Sequence, residues 1–136
     1  MSDELLHKAF TAAVAARQNA HAPYSRFKVG AALLLEDGNV VGGCNVENSS
    51  FGGTICAERN AVCACVAKFG KISAKALVLV TEPRASPCGL CLQVISEFCP
   101  GTLPIYLSTP AGLGQPVLLK EFLPLPFGPE QLEERR

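Results

Sequence analysis

The stretch KVGAALLLEDGNVVGGCNV, residues 28–46, decides the fold because it reads as two strands joined by a tight turn. Its two apolar runs predict strands over residues 28–36 and 40–46. The Asp-Gly pair at residues 37–38 is a common hairpin signal, so we expect the strands to be antiparallel. Asn45 and Glu47 fall at the end of the second strand, where their side chains would project above the sheet.

The segments that flank this hairpin alternate between helix and strand. Apolar residues spaced by three and four predict a first helix over residues 3–20, and a second helix begins near Cys56 and stops at Gly70. The other predicted elements are a strand at 75–81, a helix at 88–98, a strand at 104–108, a short strand at 115–119 and a brief helix that Pro129 begins. This order favours a single layered α/β domain over residues 1–136.

Composition limits the classes of ligand and partner. Apolar residues make up 49% of the chain and the mean hydropathy is +0.26, which favours a homo-oligomer that buries apolar surface between subunits. Lys+Arg and Asp+Glu both number 12, which argues against a nucleic-acid polymer or a membrane surface as partner. The start MSDELLHK lacks the features of a signal peptide, and no apolar run approaches the roughly 20 residues of a membrane span, so we expect a cytoplasmic protein.

Seven cysteines, an odd number, point to thiols or metal ligands rather than to a disulfide framework. Cys56, Cys88 and Cys91 stand at the starts of two predicted helices, where partial positive charge favours thiolates. Three thiolates would leave one position of a tetrahedral zinc ion open, which is typical of a catalytic site. Glu58 lies in the first turn of its helix, close enough to reach that open position without binding the metal.

These residues form the zinc-deaminase pattern in which a ligand is followed by x-E and later by P-C-x-x-C. The chain closely resembles the small homotetrameric cytidine deaminases of pyrimidine salvage, over almost its whole length. The motifs that carry the resemblance are PYSRFKVGAALL (residues 23–34), GCNVENSS (43–50), ICAERNAV (55–62), PCGLC (87–91) and FGPEQL (127–132). The resemblance implies a three-layer α/β/α fold with a mixed five-stranded sheet.

The resemblance also implies the chemistry. Cys56, Cys88 and Cys91 would hold one Zn²⁺ per subunit, and the zinc would acidify a bound water. Glu58 would take a proton from that water, pass it to ring N3 and then protonate the departing amine, converting cytidine and 2′-deoxycytidine to uridine and 2′-deoxyuridine. Arg59 resembles the family arginine that hydrogen-bonds the ligand sulfurs and offsets their charge.

The substrate contacts are carried over in the same way. Asn45 and Glu47 match the residues that hydrogen-bond the ribose 3′-hydroxyl, and the backbone amide of Ala57 matches the donor to the base carbonyl. Phe27 matches an aromatic beside the substrate, and Phe127 matches one that stacks on the base from a neighbouring subunit. The active sites would then be shared within a homotetramer.

One position beside the metal departs from the family pattern. Leu92 stands where relatives commonly carry arginine, which predicts a more electron-rich zinc site and a less acidic bound water. The other cysteines are predicted to be ordinary buried thiols: Cys44, Cys63, Cys65 and Cys99.

Three alternative interpretations stay open on the sequence. The cysteines could form a structural zinc site, although such sites usually show four regularly spaced ligands. The chain could deaminate a modified cytosine nucleoside, such as an N4-substituted cytidine or blasticidin S. It could also be a non-enzymatic zinc-binding interaction module, a role that would give Glu58 no function.

Overall fold

The computed structural model describes residues 2–133, so residue 1 and residues 134–136 of the predicted single domain lie outside the described residues. Five strands form one sheet in the order β2-β1-β3-β4-β5. The strands are β1 (Gly30–Leu35), β2 (Val40–Cys44), β3 (Ala74–Val80), β4 (Pro104–Ser108) and β5 (Pro116–Leu118). Only β3 and β4 pair in parallel among these strands, and the other neighbours are antiparallel. The sheet is therefore mixed, as predicted.

The predicted hairpin is present, with Gly38 at a φ of 89° in the turn. All six residues of β1 are buried because the strand lies inside the sheet and is covered on both faces. Both strands are shorter than predicted. At the next pair, Val29 and Asn45, one of the two backbone bonds is replaced by a side-chain bond. The amide of Val29 donates to Asn45 Oδ1 at 2.9 Å, while the carbonyl of Val29 still accepts the amide of Asn45 at 3.3 Å.

Within residues 2–133 there are five α-helices and one short 3-10 helix (Phe51–Gly53). The α-helices are α1 (Asp3–Gln18), α2 (Ala57–Phe69), α3 (Gly89–Phe98), α4 (Leu119–Phe122) and α5 (Pro129–Glu133). Ser2 caps α1, because its Oγ accepts a hydrogen bond from the amide of Leu5. Gly70 ends α2 in the left-handed conformation, as predicted. The short α4 was not predicted from the sequence.

The long helices lie in two layers, with α2 and α3 on one face of the sheet and α1 on the other. On one face, Leu33, Leu77 and Leu79 pack with buried residues of α2 and α3. On the other face, alternate residues of the same strands pack against α1, including Ala32, Leu34 and Val78. Fully burying one leucine stabilises the fold by roughly 1.5 to 3 kcal/mol, so both faces contribute strongly. The three-layer α/β/α prediction is confirmed.

None of the helices within residues 2–133 combines the length and the apolar content that a membrane crossing requires.

Candidate metal centre

Two helix starts bring the three predicted zinc ligands together. Cys56 is the N-cap of α2 and Cys88 is the N-cap of α3, both in extended backbone conformation. Within the described chain neither sulfur caps its own helix, which leaves both available to a metal. Cys91 follows in the first turn of α3 and is fully buried. Each ligand therefore sits where the helix amides supply partial positive charge.

Close packing between α2 and β2 fixes the position of Cys56. A Cβ atom added at Gly43 would lie 2.5 Å from the amide nitrogen of Ala61 and 2.7 Å from the carbonyl oxygen of Ala57. Only glycine lets the helix approach the strand this closely. An antiparallel bridge between Val46 and Ile55 then places the residue before Cys56 beside the continuation of β2.

The three sulfurs have the separation that a tetrahedral zinc ion requires. Cys56 Sγ and Cys88 Sγ are 3.8 Å apart, and all three ligand atoms lie within 4.8 Å of one another. Zn–S bonds of about 2.3 Å at tetrahedral angles separate two sulfurs by about 3.8 Å. Within residues 2–133 this is the one such group of potential metal ligands. The donor set therefore fits one zinc ion per subunit.

The electrostatics of the cluster favour a thiolate at Cys56. A hydrogen bond with the Cys91 thiol lowers the pKa of Cys56, and the Arg59 guanidinium lowers it further. Sharing that proton with Cys56, together with burial, raises the pKa of Cys91. Arg59 Nη2 lies 3.4 Å from Cys56 Sγ and also donates to the carbonyl of Thr54 at 3.4 Å. Zinc binding would release the remaining thiol protons.

Glu58 is buried beside this cluster, with 4% of its surface exposed. Burial raises the pKa of its carboxyl group, and the negative charge of Cys56 adds to the effect. A carboxyl group with a raised pKa can both accept and return a proton near neutral pH, which is the property of a general acid and base. The structure thus places the predicted catalytic carboxylate next to the predicted ligands.

Asn45 joins the end of β2 to the segment before β1. Its Nδ2 donates to the carbonyl of Phe27 at 2.8 Å, and its Oδ1 accepts from the amide of Val29. The residue is buried, with 7% exposed. Asn45 and Phe27, both predicted substrate contacts, are therefore in direct contact with each other.

Glu47 organises the loop at residues 22–27. Its Oε1 accepts the amides of Tyr24 and Ser25 at 3.0 and 3.1 Å, and its Oε2 accepts the hydroxyl of Ser25. The hydroxyl of Ser25 and these amides lower the pKa of Glu47. The carboxylate therefore remains charged at neutral pH and holds a loop that is distant in sequence.

A cavity of about 290 Å³ opens over Glu47. Its other lining residues are Tyr24, Ser25, Phe51 and Thr54. The rings of Tyr24 and Phe51 meet edge to face with centroids 5.3 Å apart and form an aromatic side of the cavity. None of these four residues is among the predicted substrate contacts. The sequence feature that could have indicated Tyr24 and Ser25 is their position inside the PYSRF motif.

Ala57 and Phe127 occupy different surroundings. Ala57 is the first residue of α2, so its amide is one of the helix amides that have no acceptor within the helix. Phe127 lies beside α3, because its carbonyl accepts a hydrogen bond from Gln93 Nε2 at 2.7 Å. Phe127 also lines a separate cavity of about 210 Å³. The structure of one chain therefore does not bring Phe127 to the cavity over Glu47.

The remaining cysteines divide by exposure. Cys65 and Cys99 are buried as predicted, and burial raises the pKa of Cys99 to about 11. The prediction for Cys63 is wrong for the single chain, because this thiol lies on the exposed side of α2, and Cys44 is half-buried. Leu92 is buried in the core that α2 and α3 form over the sheet. An arginine at that position would have to bury its charge.

Comparison with known proteins identifies a family. Residues 3–107 match the family described as the cytidine and deoxycytidylate deaminase zinc-binding region. A cytidine deaminase of Sporosarcina psychrophila is 49% identical over 119 residues, which cover 86% of this chain and 87% of that protein. A cytidine deaminase of Halalkalibacterium halodurans is 42% identical over 123 residues, covering 90% of this chain and 93% of that protein.

Solved structures agree with the fold. The crystal structure of cytidine deaminase from Burkholderia pseudomallei has a TM-score of 0.84 and 40% identity, covering 93% of this chain and 100% of that chain. Cytidine deaminase from Mycobacterium tuberculosis has a TM-score of 0.79 and 41% identity, covering 94% of this chain and 99% of that chain. On sequence, fold and the thiol cluster together, the chain belongs to the cytidine and deoxycytidylate deaminase zinc-binding family.

Proposed function

We propose that the protein is a zinc-dependent cytidine deaminase that converts cytidine and 2′-deoxycytidine to the corresponding uracil nucleosides with release of ammonia. The observation that carries this proposal is a buried carboxyl group, Glu58, beside three converging thiols. Burying a carboxyl group costs free energy, and neither a structural zinc site nor an interaction module would need one at this place. The similar proteins described above are cytidine deaminases, which supports the same substrate class.

The residues divide the work of the hydrolysis. Cys56, Cys88 and Cys91 would hold the zinc, which when bound supplies the Lewis acidity that lowers the pKa of water. Glu58 accepts a proton from the attacking water and transfers it to ring N3. It then takes the second proton, from the new hydroxyl on C4, and donates it to the amine as the C4–N bond breaks and the C4 carbonyl forms. One water is consumed and one ammonia released. Arg59 balances part of the negative charge of the thiolates, and the amide of Ala57 donates to the base carbonyl.

The hydrogen bonds of Asn45 and Glu47 support a sugar hydroxyl as ligand. A carboxylate has about four acceptor sites, and three on Glu47 are used by Tyr24 and Ser25. Asn45 uses one of its two N–H donors for Phe27. Within residues 2–133 this leaves one acceptor site on Glu47 and one donor on Asn45. A single hydroxyl group, which both donates and accepts, matches that pair.

The activity test follows the loss of ultraviolet absorbance on cytidine, deoxycytidine and N4-methylcytidine with zinc-loaded protein. We expect turnover of the first two and its loss in Glu58→Gln with zinc still bound. Glu4→Gln is a matched control, because Glu4 is likewise the second residue of its helix but is exposed. Turnover that survives Glu58→Gln would refute the assigned role of Glu58. Absence of turnover in the unmodified protein would refute the function.

We also propose that the enzyme is a homotetramer with shared active sites. Phe127 is 58% exposed and Leu125 is 92% exposed in the isolated chain, which leaves a large apolar surface for another subunit. Phe127 would stack on the base in the neighbouring site. Seven free cysteines suit the reducing cytoplasm, where the enzyme would act in pyrimidine salvage.

Mixed oligomers test the shared site. Light scattering should give four chains per particle. Phe127→Ala and Glu58→Gln should each be nearly inactive alone, because each site would lack one essential group. Subunit exchange between the two variants should restore activity, since some sites would then combine an intact Glu58 with an intact Phe127 from the neighbour. If exchange occurs without any recovery, Phe127 does not act across subunits.

A further inference from the structure

The serine of the PYSRF motif is the junction of the hydrogen bonds around the cavity. Ser25 Oγ donates its proton to Glu47 Oε2 and accepts the amide of Phe27 at 3.0 Å. The amide of Ser25 also donates to Glu47 Oε1 at 3.1 Å. One side chain thus touches both the carboxylate proposed to bind the sugar and the backbone of the proposed aromatic contact.

The backbone around Ser25 requires such support. The next residue, Arg26, has a φ of 60°, in the left-handed region that residues with a side chain adopt only at a cost. Its amide donates to the carbonyl of Ala22 at 2.9 Å, which closes a tight loop. Hydrogen bonds therefore hold loop 22–27 in an unfavourable conformation. Some of them are accepted by Glu47, which lies outside the loop.

Phe27 is held at both of its peptide groups. Its amide donates to Ser25 Oγ, and its carbonyl accepts Asn45 Nδ2 at 2.8 Å. Ser25 is in turn bonded to Glu47, and Asn45 is the partner proposed for the same sugar hydroxyl. A hydroxyl group that gives its only proton to a carboxylate becomes a better acceptor for the next N–H group. A change at Glu47 therefore reaches the Phe27 backbone through one atom.

We propose that Ser25 is a positioning residue that couples the sugar-hydroxyl subsite at Asn45 and Glu47 to the aromatic contact at Phe27. The proposal rests on the proposed deaminase function and adds a residue to its binding machinery. Binding of a 3′-hydroxyl at Glu47 and placement of Phe27 would then be linked, so the enzyme would recognise sugar and base together. A nucleoside without the hydroxyl would gain less from Ser25.

Kinetics on two substrates measure this link. In Ser25→Ala we expect kcat/KM for 2′-deoxycytidine to fall about ten-fold, mainly through KM, as expected for the loss of a hydrogen bond to a charged group. The fall for 2′,3′-dideoxycytidine should be smaller, so the preference between the two shrinks. Ser25→Thr keeps the hydroxyl and should restore the preference. An equal fall on both substrates, or no fall, would overturn the coupling.

Thr109→Ala is the matched control. Thr109 Oγ1 accepts the amide of Ala111, the same i to i+2 bond that Ser25 makes to Phe27, but in the turn after β4. This variant should keep the wild-type preference for deoxycytidine over dideoxycytidine. If it shrinks the preference as much as Ser25→Ala does, the effect is a general loss of turn stability and the proposal is wrong.

Amide hydrogen exchange tests the coupling without relying on turnover. In the zinc-loaded protein, Ser25→Ala and Glu47→Gln should each speed exchange of the Phe27 amide, and the double variant should be no faster than the faster single variant. Unchanged exchange in Glu47→Gln, or effects that multiply, would overturn the proposal. If the unmodified protein deaminates neither nucleoside, the function is refuted while this exchange cycle still decides the coupling.

Discussion

Replacing Gly43 by alanine tests the contact that positions the metal centre. The added Cβ would meet the amide nitrogen of Ala61 at 2.5 Å and the carbonyl oxygen of Ala57 at 2.7 Å. Ordinary contacts of this kind lie near 3.5 to 4.0 Å, so α2 must withdraw by about 1 Å. Both neighbours are backbone atoms and cannot rotate away. We expect destabilisation of about 2 to 3 kcal/mol, the upper part of the range for overpacking.

The withdrawal should also reach the zinc site, because Cys56 is the N-cap of α2 and Glu58 lies in its first turn. We expect zinc affinity to fall roughly ten-fold, the lower end of what disturbed supporting groups cause. Urea unfolding of the zinc-free protein gives the stability change, and competition with a chelator gives the affinity.

The neighbouring glycine supplies the control. A Cβ added at Gly42 on the opposite face would lie 3.6 Å from Ala16 Cβ, an ordinary contact. Gly42→Ala should leave zinc affinity unchanged and stabilise the fold by about 0.4 to 1 kcal/mol through the unfolded state. If Gly43→Ala and Gly42→Ala unfold at the same urea concentration, the close approach of α2 to β2 does not constrain the site.

Three further predictions concern side-chain hydrogen bonds. The Cys91 thiol and the Arg59 guanidinium lower the pKa of Cys56, so Arg59→Leu should shift thiolate formation in the zinc-free protein to higher pH, as followed by ultraviolet titration. Asn60→Ala removes a 2.8 Å bond to the carbonyl at the end of β2 and should destabilise the fold by about 1 to 2 kcal/mol in urea unfolding, more than the same change at an exposed turn. The pKa of Glu47 lies below its ordinary 4.5. The hydrogen bonds that the Glu47 carboxylate accepts from loop 22–27 should therefore stabilise the loop fully above pH 4.5, and this stabilisation is lost as the pH falls through the lowered pKa. Amide shifts of the loop should report this acid transition, and Glu47→Gln should abolish it.

Local patterns sufficed for most of the fold. Apolar spacing and the Asp-Gly turn predicted the helices and the hairpin, because these depend on neighbours in sequence. The strand ends were overestimated, since the Asn45 side chain replaces a backbone partner there. The four-residue α4 escaped prediction because distant contacts decide it: Leu119 is buried, and its amide donates to the carbonyl of Leu103.

In the site, too, local motifs could be predicted from the sequence and contacts between distant residues could not. The convergence of the three thiols could be predicted, because each ligand belongs to a motif at a helix start. The wall formed by Tyr24 and Phe51 could not, since it depends on a loop that Glu47 holds from 22 residues away. Cys63 was misplaced because Cys63 and Cys65 are two residues apart and therefore face different sides of a helix.

The bridge between Val46 and Ile55 has a consequence for protein engineering. Two backbone hydrogen bonds of 2.9 and 3.0 Å close the segment between these residues at its base. The segment includes Phe51 and Thr54, which line the cavity, whereas Cys56 lies just outside the closure. We therefore expect that residues 48–53 can be exchanged as a cassette with the zinc ligands left in register, provided that Thr54 is kept, because its carbonyl accepts Arg59 Nη2. Libraries confined to this cassette offer a route to deaminases for cytosine nucleosides with altered sugars.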